Sequence, residues 1–470
     1  MDFIREFLAW FNSGILIYFL MINLTYIILV TISFFYVRAQ LKRKKVYDLT
    51  GLFTSKLYLP VSILAPAYNE EANIIASVRA LLQLEFPEFQ VVVINDGSTD
   101  ETLPKLIDHY KLHKVDKYYP LIINHQPVKA VYESELFPEL TVIDKQNGRK
   151  ADALNAGLNI ARHDLVCSID ADSILEPDVL KKMLRAFMED EETVAVGGIV
   201  RVANGCTFSQ GRIQKIDTPK SFLGRIQVVE YLRAFLFGRV GWDYLNSLLI
   251  ISGAFGIFDR RAVMRAGGYV HDTVGEDMEL VIRLHHYYRS RKIPYKIRFL
   301  AEPVCWTEVP EDIATLSRQR NRWQRGLADS LWRHRRMMFN PKYGRLGFLA
   351  MPFFIIFEML GPVIEALGWI AIVVAILLGV ISWPFFFAFL AAAVFLGMIL
   401  SLASVLCEEF TFRRYPKTKH VFILSLYAFF ENFGYRQLHT WWRLRGMFDF
   451  VRGRREWGDM ERKGLEQPGS

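Results

Sequence analysis

The sequence predicts an α/β domain with a mostly parallel sheet, flanked by transmembrane helices. Three observations carry this expectation. Short β-branched runs alternate with helix-period patterns from residue 59 to residue 200, as strands linked by crossover helices do. Residues 14–37 are uncharged and apolar, and a second apolar block starts at Leu346. The bulk composition agrees: 52% of residues are hydrophobic and 14% aromatic, with a mean hydropathy of +0.16, high for a soluble chain.

The first apolar run, GILIYFLMINLTYIILVTISFFYV, exceeds the roughly 20 residues that a spanning helix needs. No small-residue cleavage site follows it, so it reads as a helix and not as a signal peptide. RAQLKRKK comes next, and by the positive-inside rule that flank faces the cytosol. The N-terminus is then expected outside and residues 38–345 in the cytosol.

Within the cytosolic part the elements follow in order. LPVSILAPAYNE is a strand and a loop, and residues 71–84 are a helix. QVVVIN (90–95) is a strand ending on Asp96-Gly97. Ser98 and Glu101 have capping-box spacing and predict a helix start. LTVIDK (140–145) is a strand, GRKADALNAGLNIA (148–161) a turn and helix, and LVCSID (165–170) a strand. Pro177 is placed in the first turn of the next helix, and TVAVGGIV (193–200) is again a strand.

Beyond Leu346, residues 361–381 and 383–406 read as two spans joined by a tight turn at Ser382-Trp383-Pro384. FLAMPFFIIFEML (348–360) is too short to span beside them. It reads as interfacial, or as an extension of the next helix kinked at Gly361-Pro362. Residues 421–438 contain Glu431 and Arg436 and either span or lie in the interface; the basic tail behind them favours the interface. The expected organisation is a helix and basic flank (1–45), a cytosolic domain (46–345), a membrane block (346–440) and a basic tail (441–470).

Net charge is +8, with a pI near 9.1. That suits anionic partners such as a lipid leaflet or a nucleotide phosphate. No nucleic-acid module is present, so no nucleic-acid partner is expected. Cys167, Cys206, Cys305 and Cys407 lack metal-ligand spacing and read as free thiols in a reducing compartment.

On such sheets ligands bind beyond the carboxyl ends of strands. Asp170 and Asp172, two apart at a strand end, can share a hard divalent cation that clamps a diphosphate, although two acids in a surface turn are common. Asp96 is either a carboxylate that accepts from a nucleoside or a plain Asp-Gly turn. GRKADALNAG adds Lys150, a candidate phosphate ligand, with Asp152 and Asn155; a solvated helix face is the alternative. TVGEDMELVIRL (273–284) sets Glu276 and Asp277 at a helix start, where the dipole favours acids. There one of them could take a proton from an attacking hydroxyl.

These motifs, in this order and followed by Gln-x-x-Arg-Trp and a membrane block, resemble the family 2 glycosyltransferases of the membrane-embedded processive β-glycan synthase group. That group includes the cellulose, hyaluronan, chitin and poly-N-acetylglucosamine synthases. The resemblance covers roughly residues 14–440. It implies a GT-A nucleotide-sugar-binding fold, with Asp96 and Asp152 on the uridine of a UDP-sugar. It also implies Mg2+ or Mn2+ held by Asp170 and Asp172 against the diphosphate, and Asp277 as the base. SGAFGIFDRR (252–261), with Gly253 at its tight point, would position the acceptor. Gln319, Arg322 and Trp323 match the Gln-x-x-Arg-Trp motif. Gly275 stands where the family has Thr, with the two acids kept. About thirty residues follow the membrane block, so a cyclic-dinucleotide-binding domain is not expected there.

The implied reaction is one inverting displacement: the metal stabilises the leaving diphosphate, and Asp277 deprotonates the acceptor hydroxyl. A carboxylate of ordinary pKa, about 4, is a weak base at neutral pH; burial or the neighbouring Glu276 would strengthen it. UDP-N-acetylglucosamine and UDP-glucose lead as donors. The acceptor is a growing β-linked polysaccharide, with accessory export subunits as possible partners, in the inner or plasma membrane. Alternatives are transfer of a single sugar to a lipid or short acceptor, and a catalytically silent nucleotide-sugar-binding subunit. If QRNRWQRG (319–326) is helical, Gln319, Arg322, Trp323 and Gly326 share one face. Trp323 would then offer its ring to a pyranose, Gln319 a hydrogen bond, and Arg322 a reach to the diphosphate. Arg318, Asn321 and Arg325 would share the adjoining face, with the arginines left for lipid.

Overall fold

In a computed structural model, residues 2–46, 58–170, 173–209, 211–411, 415 and 417–454 are described. The strands that the sequence marks most clearly pair side by side and parallel: β1 (Val61–Ala67), β2 (Phe89–Asn95), β5 (Leu140–Lys145) and β6 (Leu165–Ile169), in the order β5-β2-β1-β6. Their alternating residues are buried on both faces, with Ile63, Val91, Val93, Val142 and Cys167 among the fully buried side chains. That double burial is why these runs read as almost continuously apolar.

The sheet then grows outward in ways that no short-range pattern announced. β3 (His113–Val115) and β4 (Val128–Glu133) add antiparallel strands beyond β5. On the other side β11 (Phe255–Asp259) inserts antiparallel between β6 and β8 (Thr193–Val202). β12 (Lys296–Thr307) runs parallel to β8, and β7 (Ile174–Leu175) closes the ten-stranded sheet. β9 (Thr207–Ser209) and β10 (Arg212–Lys215) form a separate two-stranded ribbon.

The helix Arg149–Ile160 lies on this sheet with every residue from Ala151 to Ile160 buried. Its small residues permit the close approach: a Cβ on Gly157 would sit 3.1 Å from Leu64 and from Ile94. Two asparagines are buried there and both are satisfied. Asn155 brackets Tyr269, accepting from its amide at 2.7 Å and donating to its carbonyl at 2.9 Å. Asn159 does the same for Ile123.

The Ser98–Glu101 capping box does not form. The helix starts at Thr102 with no side-chain cap, and Ser98 Oγ instead accepts from the Asn69 amide at 3.0 Å. Asp100 takes the Thr102 amide at 3.0 Å. Pro177 falls in the turn just before the helix Val179–Glu189.

The chain divides into two compact units. The sheet and its helices make one, from Ala39–Pro219 and Leu245–Val309; Lys220–Tyr244 and the flanking N- and C-terminal stretches make the other. In the second, the helix Asp2–Val46 contains Glu6–Lys42, and Trp383–Glu409 is a further helix long and apolar enough to cross a membrane. Ile15 and Phe19 of the first pack with Phe389, Ala392 and Ala393 of the other, and Asn23 Nδ2 donates to the Ala392 carbonyl at 3.0 Å.

Gly361–Leu377 is shorter than the sequence reading and qualifies as a span only together with Leu346–Met359, from which it bends by 45°. This is the kinked-extension reading, with Pro362 in the first turn of the second helix. The tight turn lies earlier than expected. Gly379, with φ of +63°, turns the chain, while Trp383-Pro384 opens the next helix because proline suits a first turn.

Residues 421–438 are not one element. The helix Thr418–Phe430 ends, and Gly434, with φ of +80°, precedes the helix Tyr435–Val451. The charges flanking this break are both paired within the unit, as charges in an apolar setting must be. Glu431 meets Arg233 at 2.5 Å, and Arg436 meets Glu365 at 3.4 Å and donates to the Ala393 carbonyl at 2.9 Å.

Candidate active site

Because β1, β2, β5 and β6 run parallel, the residues that follow them collect along one edge. Asp96 follows β2, Lys145 ends β5 and Asp170 follows β6. Asp152 and Lys150 come to the same edge from the start of the helix Arg149–Ile160.

The first cluster turns on Lys145, which the sequence reading passed over. Its side chain is fully buried, and its ammonium lies 2.5 Å from both Asp96 and Asp152 and donates to the Gln146 carbonyl at 2.6 Å. Asp96 also accepts from the Gly148 amide at 3.0 Å, and Asp152 from the Gln126 amide at 3.0 Å. His271 Nδ1 stands 3.6 Å from Asp152. The Asp-Gly turn is real as well. Gly97 has φ of +71°, and a Cβ there would meet the Asn147 amide nitrogen at 2.8 Å. A lysine closing a strand that starts on the apolar-rich run Leu140–Ile143 was the one available signal, since a buried ammonium must be paired.

The second cluster gathers Lys150, Asp170, Gly253, Glu276 and Asp277. Lys150 Nζ is 2.5 Å from Asp170 and 3.5 Å from Glu276, and donates to the Gly253 carbonyl at 3.4 Å. Asp277 Oδ2 accepts from the Gly253 amide at 3.0 Å, and its Oδ1 from the Met278 amide at 2.8 Å. Asp277 sits in the first turn of the helix Glu276–Ser290, where the dipole favours its charge. Gly253 lies close to both charges: a Cβ there would lie 3.0 Å from Lys150 Nζ and 3.5 Å from Asp277 Oδ2.

Burial works against the charge on Lys150, but Asp170 and Glu276 outweigh it and raise its pKa. Burial also pushes Glu276 up. Lys150 opposes that push and the charge on Asp277 adds to it, so the net direction is upward. The acid whose pKa this helix start raises is Glu276.

Asp172 lies outside the described residues. Asp170 offers an oxygen donor whose side chain is about one-third exposed (32%), at the edge where ligands of such sheets bind. Among the described residues no three His, Cys, Asp or Glu side chains stand close enough to cage a cation. A hard divalent ion held by one or two carboxylates and completed by substrate phosphates fits this donor set.

Gln319, Arg322 and Trp323 belong to the other unit, on the helix Ile313–Arg333. Gln319 is buried, and its Oε1 has no hydrogen-bond partner among the described residues. Trp323 is 43% exposed, with the Arg320 guanidinium 4.5 Å from its ring centre. Arg322 is partly exposed, and Gly326 is buried. The predicted face thus spans two environments. Arg325 does not serve lipid: it is buried and donates to the Arg454 carbonyl at 3.1 Å. Asn321, also assigned to that outer face, donates to Asp449 at 2.8 Å. The cause is the helix Tyr435–Val451, which packs on this side. A Cβ on its Gly446 would lie 2.8 Å from the Asn321 carbonyl oxygen.

Residues 62–264 match the glycosyl transferase family 2 profile, and residues 165–404 the glycosyl transferase family group 2 profile. The poly-beta-1,6-N-acetyl-D-glucosamine synthase of Staphylococcus epidermidis (strain RP62A) is 28% identical over 266 residues, 57% of this chain and 54% of that one. The synthase of the same name from Staphylococcus aureus (strain COL) is 29% identical over 269 residues, with the same coverage. The chain thus spans about half the length of the curated relatives it matches. A mannosyltransferase from Pyrobaculum calidifontis, solved with GDP-Man and Mn2+, superposes with a TM-score of 0.52 at 17% identity, over 90% of this chain and 99% of that one. That likeness concerns the fold. The second profile alone takes in half of the chain, and the sheet edge carries the acids in the expected order: the chain belongs to glycosyltransferase family 2.

Proposed function

We propose that this chain is a membrane-bound inverting glycosyltransferase that moves a sugar from a UDP-sugar to a growing β-linked polysaccharide. The observation that carries the reading is the Lys150–Asp170–Gly253–Glu276–Asp277 cluster at the carboxyl edge of the sheet. UDP-N-acetylglucosamine is the favoured donor, in keeping with the names of the Staphylococcus relatives; UDP-glucose is the alternative.

In this reading Asp277 takes the proton from the acceptor hydroxyl as that oxygen attacks the anomeric carbon from the face opposite the diphosphate. An α-linked donor then gives a β-glycoside, and UDP leaves. Asp96 and Asp152, fixed by Lys145, serve the uridine. Lys150 neutralises charge on the diphosphate and shields Asp170 and Glu276 from one another. Asp170, with Asp172, would hold Mg2+ or Mn2+, and the ion would stabilise the leaving diphosphate.

Gln319 and Trp323 serve the acceptor glycan. The exposed Trp323 ring suits a pyranose face, and Gln319 lies one helical turn before it on the same helix. Arg322 serves the diphosphate. The catalytic unit faces the cytosol of a cell whose inner or plasma membrane is crossed more than once, and accessory export subunits complete the assembly.

The test is a donor screen monitoring UDP release from membranes, with product length read from radiolabelled UDP-sugar. Long metal-dependent products from UDP-N-acetylglucosamine are expected. A single added sugar would overturn the polymerase reading, and no UDP release from any donor would overturn the enzyme reading.

A further inference from the structure

Residues 247–252 form no helix or strand, yet Ser247, Leu248, Leu249 and Ile251 are almost completely buried. Buried irregular backbone must find partners for its carbonyls and amides. Here the helix Glu276–Ser290 supplies them at three levels. In its first turn Asp277 takes the Gly253 amide at 3.0 Å. Two turns on, His285 Nε2 is 2.8 Å from the Leu248 carbonyl oxygen. A further turn on, Arg289 donates to the Asn246 carbonyl at 3.0 Å. The segment therefore runs antiparallel beside the helix, tied to it at both ends and in the middle.

The proton positions in the middle tie follow from the partners. A carbonyl can only accept, so His285 Nε2 carries the hydrogen. Nδ1 must then accept, and the Tyr295 hydroxyl lies 2.5 Å from it. The Tyr295 oxygen in turn accepts from Arg289 Nε at 2.8 Å. All donors point one way, from Arg289 through Tyr295 and His285 to Leu248. A second proton on His285 would face the Tyr295 hydroxyl and leave it without an acceptor. Burial acts in the same direction and pushes His285 down to about 3, so the ring stays neutral and in a single tautomer across the working pH range.

We propose that His285 is a positioning residue for the transfer step. As the neutral Nε2–H tautomer, it fixes residues 246–253 against the helix that bears Asp277 and so sets the spacing of Asp277 from the Gly253 stretch where the acceptor is aligned. It touches neither donor nor acceptor. The inference rests on the reading of Asp277 as the base. Its signature is a fall in kcat with little change in donor binding, because small misplacements of a reacting group cost rate rather than affinity.

The test compares His285→Leu, His285→Gln and Tyr295→Phe in the full-length membrane enzyme. His285→Leu removes the tie, and kcat should fall by about 10- to 100-fold, with KM for the UDP-sugar and affinity for UDP within about threefold. His285→Gln can place an amide N–H near the position of Nε2 and should recover most of the loss. Tyr295→Phe releases Nδ1 and should give the same split at about 3- to 10-fold, which keeps the idea testable if the leucine variant does not fold. Unchanged kcat in Tyr295→Phe or in a folded His285→Leu, a glutamine variant as slow as the leucine one, or UDP affinity falling in step with kcat would each overturn the proposal. Asp277→Asn, run alongside, separates the two readings. If Asp277→Asn retains full turnover, the base assignment fails; if only the His285 and Tyr295 variants retain it, the positioning role alone fails.

Discussion

Asp277 Oδ2 accepts the Gly253 amide at 3.0 Å, which joins the start of the helix Glu276–Ser290 to the stretch leading into β11. Neither residue is close to the other in sequence, and the Gly253 carbonyl also accepts from Lys150 at 3.4 Å. An Asn at 277 keeps an oxygen for that amide but cannot take a proton. Asp277→Asn is expected to lower turnover by about 10²- to 10⁴-fold while UDP affinity stays within about twofold. UDP-release kinetics and calorimetry on the purified protein check this, and unchanged turnover would remove Asp277 as the base.

Lys145 neutralises two buried carboxylates at once. Replacing it by Met leaves Asp96 and Asp152 facing each other without the ammonium that bridges them. Breaking a buried pair by removing one partner typically costs about 3–5 kcal/mol. Lys145→Met should therefore melt well below the parent protein in detergent, and the fraction that folds should bind UDP more weakly. Equal melting temperatures would show that the carboxylates find another partner.

Glu276 supplies a pH dependence whose sign is fixed. Burial raises its pKa above the ordinary 4.5, with Lys150 only partly opposing. The folded chain thus keeps this proton to a higher pH than the unfolded chain does. The stabilisation is complete below 4.5 and is lost as pH rises through the raised folded value. Glu276→Gln should flatten the decline in melting temperature as pH rises above 4.5. A decline as steep as in the parent protein would assign it to other groups.

Arg149, next to Lys150, has φ of +72°. An L-residue in that region carries roughly 1–2 kcal/mol of strain, and glycine there gives back part of the gain through the unfolded chain. Arg149→Gly is expected to stabilise by about 0.5–1 kcal/mol, read from denaturant titration. A loss of stability would mean that the arginine side chain contributes more than its backbone costs.

The sequence by itself determined the local elements and the edge on which chemistry collects. Apolar-rich runs mark β1, β2, β5 and β6, because doubly buried parallel strands need apolar residues on both faces. The acids after those strands then fall on one side, because parallel strands end together. The first helix long and apolar enough to cross a membrane was equally legible, since length and absence of charge are local properties.

Only the tertiary structure decided what depends on residues far apart in the chain. The insertion of β11 between β6 and β8 brings Gly253 to Lys150 and Asp277. Lys145 became visible as the partner of Asp96 and Asp152 only when strand and helix met. Arg325 looked like a lipid contact until the helix Tyr435–Val451 covered it. The Ser98–Glu101 spacing promised a cap, but Asn69 took the serine. At Ser98 a local capping preference of about 1 kcal/mol yielded to a contact from another loop; at Lys145 and Arg325 the outcome followed from burial and pairing, which are set by whatever the fold places opposite a side chain.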